Sequence, residues 1–303
     1  MVNISFPGLG IDIFQVDRVA FTLPILGGIS VRWYGLIITC GIILAFLYCA
    51  YRAKQEGILF DHLLDIAIFT IPLSVVGARA YYVLTSLDRY DSFYSMIAIW
   101  EGGIAIYGAV IAGALTIWLV CRYKKINTLK MLDATAPAVM IGQILGRWGN
   151  FFNGEAHGGI VSENSPLYFI RMGLYPHDVD GVPGMAYVHP TFLYESLWNL
   201  LGFLLIHFLY KKKKFDGQIV LMYLTWYGFG RMWIEGLRTD SLTVGPFRIS
   251  QLVGLVCFVA GAALLTVFLV KAGKAKNTPE SIPVSDEEAK ENVEEIEEKE
   301  EKE

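Results

Sequence analysis

Long apolar runs without a charged residue constrain this chain most. Three of them, Trp33–Tyr51, Gly102–Cys121 and Ile249–Val270, contain no Asp, Glu, Lys or Arg. A helix needs about 20 mostly apolar residues to cross the hydrocarbon core of a bilayer, so each run is long enough to span it. Four further runs qualify if one or two charges per span are tolerated. The sequence therefore predicts an all-α, polytopic membrane protein with seven transmembrane helices, at roughly 31–52, 63–84, 102–122, 131–149, 190–210, 217–236 and 249–270.

Charge is spread unevenly along the chain. Residues 278–303 hold 12 acidic residues and 3 lysines, a net charge of −9, so the whole-chain charge of −4 leaves +5 on residues 1–277. Basic residues concentrate in cytoplasmic loops. Here they follow the first span, join the third to the fourth and the fifth to the sixth, and follow the seventh. This pattern predicts an N-terminus outside and a C-terminus in the cytoplasm.

The segments outside the spans differ in composition. Residues 150–189 are polar and rich in Gly and Pro, which predicts a small extracytoplasmic cap. Residues 85–101 carry several aromatic side chains and are typical of an interfacial segment. We expect residues 1–271 to form one membrane domain and residues 272–303 to form an acidic, disordered cytoplasmic tail, because that tail lacks aromatics and is dense in like charge.

Polar residues within the spans converge on a single depth. With the orientation above, six spans carry such groups near their outer ends: Arg79, Arg147 and the Arg231/Glu235 pair on outward-running spans, and Arg32 with Tyr34, Glu101 with Tyr107, and His189 with Tyr194 and Glu195 on inward-running ones. A charge at mid-bilayer costs about 2.5–3.5 kcal/mol. The convergence therefore predicts a polar cavity open towards the outer leaflet. The alternative is that each side chain extends to the interface independently.

Two segments strengthen the cavity interpretation. On span six, Tyr227, Arg231, Glu235 and Arg238 recur at helical spacing and share one face. At the end of span four, residues 146–159 read GRWGNFFNGEAHGG, which combines polar side chains with glycines that allow close approach of a ligand. The second segment could instead be a helix C-cap and turn alone.

Several arginines at headgroup depth suit a phosphate, since planar guanidinium donors match phosphate oxygens and keep their charge when partly desolvated. A phospholipid headgroup is the natural ligand, with Arg231 held by Glu235 and Arg147 by Glu155. The five histidines show no metal-ligand spacing, and no HExxH or GxSxG motif occurs. The apolar composition also fits a nucleic-acid binder poorly, so neither a metal nor nucleic acid is expected.

Five motifs together resemble the bacterial prolipoprotein diacylglyceryl transferases. They are RWYG at 32–35, GARAYY at 77–82, GRWGNFFNGEAHG at 146–158, HPTFLYE at 189–195 and YGFGRMWIEGLR at 227–238. The resemblance runs in order over residues 30–271. It implies a transferase of the bacterial cell membrane that moves the diacylglyceryl group of phosphatidylglycerol to the lipobox cysteine of prolipoproteins, releasing glycerol 1-phosphate as the first step of lipoprotein maturation.

The resemblance also implies roles for individual residues and no cofactor. Catalysis and phosphate binding are expected of Arg147 and Arg231, with Glu235 in support. Binding of phosphatidylglycerol involves in addition Asn150, Glu155, Gly158, Tyr34, Tyr82, Tyr227, Arg238 and His189.

Tyr107 departs from the family pattern. Many members have a histidine there that is proposed as the catalytic base, whereas here the text is WEGGIAIYGA. A neutral phenol is a weaker base at pH 7 than an imidazole. Either His189 or a carboxylate is the base, or arginines activate the substrate thiol electrostatically while Tyr107 acts as a hydrogen-bonding residue at the catalytic site. We favour the second.

Two other function classes fit the sequence less well. A transporter or channel for anions would need polar residues through the inner halves of the spans, and these are apolar here. A lipid-binding receptor without catalysis is set aside by the motif resemblance alone.

Overall fold

The computed structural model describes residues 2–24, 28–175 and 186–277, apart from the side chains of Glu101 and residues 275–277. Most of the described chain is helical. Seven long helices and one short helix, α3, follow one another as α1 (Trp33–Gln55), α2 (Phe60–Leu84), α3 (Phe93–Ile97), α4 (Ile106–Lys124), α5 (Thr128–Asn153), α6 (Thr191–Leu209), α7 (Gln218–Leu237) and α8 (Ile249–Asn277).

The long helices lie where the apolar runs predicted spans. Within the described ranges, five are long and apolar enough to cross a membrane: α1, α2, α4, α6 with the turn that follows it, and α8. In the apolar windows of α1 and α8 only 11% of the residues are buried, as expected of helices that face lipid. The chain is thus a polytopic membrane protein. The count of seven spans stays a prediction, because α5 and α7 are not among these five helices.

The prediction of an all-α fold is confirmed only in part, because the mostly helical chain also forms eight strands within its described residues. They are β1 (Val2–Phe6), β2 (Ile11–Val16), β3 (Val19–Leu23), β4 (Ile29–Arg32), β5 (Met172–Tyr175), β6 (Ala186–Val188), β7 (Thr243–Val244) and β8 (Phe247–Arg248). A four-stranded antiparallel sheet has the order β2-β1-β5-β6, while β3–β4 and β7–β8 form two separate pairs. The sheet thus joins the N-terminal residues to the segment predicted as a cap.

One face of this sheet packs on the ends of two helices. Ile4, Leu174 and Val188 are buried in a cluster that includes Phe192 of α6, and Phe151 of α5 packs against it. Burying apolar side chains on one face and leaving polar ones on the other is what holds a half-exposed antiparallel sheet in register. The sheet therefore covers the helix ends that carry Arg147 and Glu195.

A buried carboxylate fixes the other end of the bundle. Asp133 of α5 accepts hydrogen bonds from the main-chain nitrogens of Gly217, at 2.8 Å, and Val220, at 3.0 Å, which lie at the start of α7. Lys213 lies 3.0 Å from Asp133 and 2.7 Å from Glu56. Burial alone would lower the pKa of Lys213, but the hydrogen bonds that it donates to these two carboxylates raise it above its ordinary value. These contacts set the axial position of α7.

Contacts between residues divide the chain into two compact units, Met1–Leu265 and Thr266–Glu303. The first contains every described strand and the helices up to most of α8. Helix α8 continues to Asn277, past residue 272, where the tail was predicted to begin. Residues 278–303 of that tail lie outside the described residues, as do residues 176–185 of the predicted cap.

Candidate active site

Glu195, in the first turns of α6, is the centre of a cluster of arginines. Its Oε1 accepts a hydrogen bond from Arg147 Nη2 at 2.7 Å, and its Oε2 accepts one from Arg231 Nη1 at 3.1 Å. The carboxylate is buried, with 5% of its side chain exposed. Because two guanidinium groups share a single carboxylate, this group of three residues carries an excess positive charge.

Helix α7 supplies a second buried carboxylate. Glu235 Oε2 lies 2.7 Å from Arg231 Nη2, which confirms the pair predicted from their spacing. The two atoms are close, yet Glu235 Oε2 receives no well-aligned hydrogen bond from any described residue. Its side chain is 2% exposed. Glu235 therefore holds Arg231 by charge and keeps an acceptor oxygen that no side chain or main-chain group of the described residues fills.

Arg238 closes the cluster at the end of α7. Its guanidinium lies 3.9 Å from both Glu195 and Glu235, and it donates to both carboxylate oxygens of Asp240 at 3.0 and 2.7 Å. Burial would raise the pKa of Asp240, but the hydrogen bonds and charge of Arg238 outweigh it and leave that pKa below its ordinary value. Three residues predicted to share one face of span six thus meet, and Tyr227 lies one turn before Arg231.

The end of α5 contributes the remaining polar groups. Arg147 Nη1 donates to Asn150 Oδ1 at 3.2 Å, and Asn150 Nδ2 donates to Glu155 Oε1 at 3.3 Å. The acidic partner of Arg147 is therefore Glu195 and not Glu155, which reaches Arg147 only through Asn150. Gly154 caps the helix with a φ of 64°, a left-handed conformation that favours glycine. The segment is both a C-cap and a source of site residues.

Gly158 and His189 connect three parts of the fold, namely the turn after α5, the start of α6 and the end of α7. Gly158 N donates to His189 O at 2.9 Å, and Gly158 forms a β-bridge with Arg238. A Cβ atom at Gly158 would lie 2.8 Å from the carbonyl oxygen of Leu237, so no larger residue fits. His189 Nδ1 lies 3.2 Å from the Tyr194 hydroxyl, and burial lowers the pKa of His189. These contacts fix the positions of the three parts relative to one another.

Tyr107 is joined to the arginine cluster through a residue of α8. Its hydroxyl lies 3.0 Å from Ser250 Oγ, and Arg231 Nη2 donates to the same oxygen at 3.4 Å. Tyr107 lies in the first turn of α4, Ser250 lies in the first turn of α8, and Arg231 is in the second half of α7. Three helix ends therefore meet at one serine hydroxyl.

The two other predicted tyrosines occupy different places. The ring of Tyr34 lies against Gly149 of α5, where an added Cβ atom would come 2.8 Å from Tyr34 Cδ2. Tyr34 is thus beside the helix turn that carries Arg147. The Tyr82 hydroxyl accepts from Arg89 at 3.2 Å, and its ring lies against Gly103. Its described contacts are with the segment between α2 and α4 and not with the arginine cluster.

The convergence prediction is wrong for Arg79. Its Nε donates to Met96 O at 2.9 Å, its Nη2 donates to Ser95 O at 2.7 Å, and its Nη1 donates to the carbonyl oxygens of Gly102 and Gly103. A buried guanidinium that donates four hydrogen bonds to main-chain carbonyl oxygens is not available to a phosphate. Arg79 instead fixes the connection that leads into α4. The side chain of Glu101, also predicted at this depth, lies outside the described part of the chain.

Comparison with known proteins identifies the family. The sequence profile of the prolipoprotein diacylglyceryl transferases matches residues 19–267. The chain belongs to this family. Three relatives carry the name phosphatidylglycerol–prolipoprotein diacylglyceryl transferase, the one from Clostridium perfringens being numbered 1. The Streptococcus pneumoniae protein is 47% identical over 244 residues, which cover 79% of this chain and 90% of its own. The Finegoldia magna protein is 45% identical over 251 residues, 82% and 94% of the two chains. The C. perfringens protein is 43% identical over 266 residues, 86% and 97%.

Two residues of the site in this member of the prolipoprotein diacylglyceryl transferase family were not predicted from the sequence. Glu195 was noted as a polar residue of the fifth span and of the HPTFLYE motif, but its role as shared partner of two arginines needed their positions in space. Ser250 gave no signal, because a lone serine at the start of an apolar helix is common. Among the described residues, no group of three or more His, Cys, Asp or Glu side chains is placed to hold a metal ion.

Proposed function

We propose that this chain transfers the diacylglyceryl group of phosphatidylglycerol to the thiol of the lipobox cysteine of prolipoproteins, with the arginine cluster around Glu195 as its active site. Family membership and the names of the relatives support the reaction and its two substrates. The observation that carries the site assignment is the sharing of Glu195 by Arg147 and Arg231. It holds two guanidinium groups beside each other, each in a fixed orientation, in a largely buried place.

The phosphate of phosphatidylglycerol binds between Arg147 and Arg231. Each guanidinium has more N–H donors than its contacts with Glu195, Asn150, Glu235 and Ser250 use. Side-chain exposures of 19% for Arg147 and 14% for Arg231 leave both within reach of a ligand while most of each group is shielded from water. Shielding strengthens attraction for a phosphate, because the effective dielectric constant is lower than in water.

The transfer step forms one bond and breaks one. The sulfur of the substrate thiolate attacks the glyceryl carbon that carries the phosphate ester, so a C–S bond forms and the C–O bond breaks. The electron pair of that bond stays on the leaving oxygen of glycerol 1-phosphate, and the thiol proton is released. The arginines favour the thiolate form of the cysteine and stabilise charge that grows on the leaving phosphate. The proposed step uses no metal and no organic cofactor.

The proposal also covers the route by which the substrates enter and the orientation of the chain in the membrane. Phosphatidylglycerol and the signal peptide of the prolipoprotein enter the site from the bilayer of the bacterial cell membrane. The lysines between α4 and α5 and between α6 and α7 support a cytoplasmic location for those connections, with the N-terminus outside and the C-terminus inside. Seven spans, including α5 and α7, satisfy this orientation. The site is then at the outer end of the bundle.

The test is a transfer assay with the purified chain, phosphatidylglycerol vesicles and a lipobox peptide. Mass spectrometry should show a gain of one diacylglyceryl group on the peptide, absent from a peptide with serine in place of the cysteine. Arg147→Lys should lower transfer by about 10²–10³-fold, because a lysine cannot hold the phosphate in the fork geometry of a guanidinium. The matched control is Arg122→Lys, an exposed arginine at the far end of α4.

Three outcomes are informative. Loss of transfer in Arg147→Lys with normal rates in Arg122→Lys supports binding of the phosphate between Arg147 and Arg231. Near-normal turnover in Arg147→Lys overturns this binding site but leaves the proposed reaction unaffected. Binding of phosphatidylglycerol without any transfer by the unaltered chain overturns the reaction and favours a lipid receptor.

A further inference from the structure

Ser250 lies between the guanidinium group of Arg231 and the phenol of Tyr107 in the candidate active site. Its Oγ is 3.4 Å from Arg231 Nη2 and 3.0 Å from the Tyr107 hydroxyl. Within the described residues these are the two partners of the Ser250 hydroxyl. The three side chains therefore form a chain of hydrogen bonds that runs from Arg231 to Tyr107.

The donors in this chain have a defined order. A guanidinium has donors and no acceptor, so Ser250 Oγ accepts from Arg231. The single hydrogen of Ser250 then has the oxygen of Tyr107 as its acceptor. If Tyr107 donated to Ser250 instead, the serine hydrogen would be left without an acceptor in a part-buried place, which is unfavourable. Accepting from a cation also makes a hydroxyl a better donor, which favours the same order.

An oxygen that already accepts from Ser250 directs its own hydrogen elsewhere. We infer that Ser250 is a positioning residue that turns the phenolic hydrogen of Tyr107 towards an anionic oxygen of the bound phosphate. Tyr107 then acts as a hydrogen-bond donor that keeps its proton throughout the reaction. This inference rests on the proposed function and deepens it.

The order of donors explains how the reaction proceeds with a tyrosine at position 107. No proton has to move from the thiol to the phenol, since the thiol ionises beside the arginines and its proton leaves the site. The donated hydrogen bond from Tyr107 adds to the charge of Arg147 and Arg231 on the leaving phosphate. Such donors are effective because their positions are set before charge develops.

The experiment compares kcat and KM for phosphatidylglycerol in four variants of the full chain and in one matched control. Tyr107→Phe should lower kcat by about 10²-fold, as loss of an oriented donor does. Ser250→Ala should lower kcat by roughly 10-fold with little change in KM, and Ser250→Thr, which keeps the hydroxyl, should restore most of it. The double variant Ser250→Ala/Tyr107→Phe should be no slower than Tyr107→Phe, because the serine acts through the tyrosine. Ser162→Ala, at an exposed serine outside the site, is the matched control.

The pH profile separates a donor from a base. With Tyr107 as a donor, the increase of kcat with pH follows ionisation of the substrate thiol and keeps its position in Tyr107→Phe. With Tyr107 as the base, that variant would lose or shift the increase, which overturns the inference.

Other outcomes are equally decisive. Full activity of Ser250→Ala, failure of Ser250→Thr to restore activity, or additive losses in the double variant would each overturn the role of Ser250. Thermal unfolding of each variant shows whether a loss of activity comes from misfolding, and intact unfolding temperatures with the expected kcat pattern support the inference. An unaltered chain that binds phosphatidylglycerol and transfers nothing would overturn the proposed function itself, whereas an active chain with an undiminished Ser250→Ala variant overturns the inference alone.

Discussion

Trp198 and Trp226 each donate a hydrogen bond to the main-chain carbonyl oxygen of the other. The distances from Nε1 are 3.1 Å for Trp198 and 2.9 Å for Trp226, and the two rings stack with centroids 4.4 Å apart. Glu195 lies one turn before Trp198 on α6, and Arg231 follows Trp226 by little more than a turn on α7. This reciprocal contact therefore fixes the register that places Glu195 opposite Arg231.

Gly230 makes room for this contact and should not tolerate a side chain. A Cβ atom there would lie 2.1 Å from Trp198 Nε1. Gly230→Ala should destabilise the chain by about 1–3 kcal/mol, as overpacking of a helix interface does, and should lower transfer by displacing Arg231. Thermal unfolding in detergent measures the first effect. The control is Gly142→Ala in α5, where no atom lies within 4 Å of the added methyl group. Equal unfolding temperatures for the two variants would show that the interface adapts.

Glu195 should be required as a charge and not only as a hydrogen-bond acceptor. Glu195→Gln keeps the size of the side chain but leaves Arg147 and Arg231 without their shared carboxylate. Breaking a buried ion pair costs about 3–5 kcal/mol when a charge is left uncompensated. We expect lower stability and a transfer rate reduced by about 10²-fold, because the repelling guanidinium groups separate.

The control for this prediction is Glu163→Gln, an exposed carboxylate outside the cluster. Transfer rate and phosphatidylglycerol binding should both be measured. If Glu195→Gln bound phosphatidylglycerol and transferred the diacylglyceryl group as the unaltered chain does, the geometry of the arginines would not depend on Glu195.

The helices were predictable from sequence because their apolar runs are long and nearly free of charge. The strands were not predicted, although a signal was present: Val2–Phe6 alternates apolar and polar residues, as a half-buried strand does. Such short runs gain stability only from partners, and β1 pairs with residues 172–175, far away in the chain. No local pattern reveals that pairing.

The site was predictable to the extent that residues share a helix. Arg231 and Glu235 are four residues apart, so their spacing indicated the pair. Arg147 and Glu195 belong to different helices, and the sequence offered Glu155 as a nearer partner for Arg147. Arg79 was predicted at the same membrane depth as the other arginines, but depth alone does not tell where a side chain points. The guanidinium of Arg79 points to the main chain of residues 95–103.

His189 should make stability depend on pH. Burial lowers its pKa below the ordinary value of 6.5, so the unfolded chain binds this proton more readily than the folded one. The stabilisation is present above the ordinary pKa and is lost as the pH falls from there through the folded-state value. His189→Gln should remove this part of the acid-dependent loss, whereas His62→Gln, in α2, should keep it. Thermal unfolding between neutral and mildly acidic pH measures it, and identical curves for His189→Gln and the unaltered chain would contradict the prediction.

Arg79 should control the segment that leads into α4. A lysine cannot reach the four carbonyl oxygens of Ser95, Met96, Gly102 and Gly103 that the guanidinium now holds. Arg79→Lys should therefore leave buried carbonyl groups unsatisfied, at about 1–3 kcal/mol for the segment. We expect faster amide hydrogen exchange between residues 90 and 105 and a modest loss of transfer, because Tyr107 starts the helix that follows.

Arg89→Lys provides the matched control for Arg79. Arg89 is exposed in the same segment, and its described side-chain contact is the hydroxyl of Tyr82. Its replacement should leave hydrogen exchange between residues 90 and 105 unchanged, since no main-chain acceptor depends on it. The transfer rate should also stay close to that of the unaltered chain. Equal exchange in Arg79→Lys and Arg89→Lys would mean that the segment is held by the packing of its apolar side chains. The buried guanidinium would then have no part in placing Tyr107.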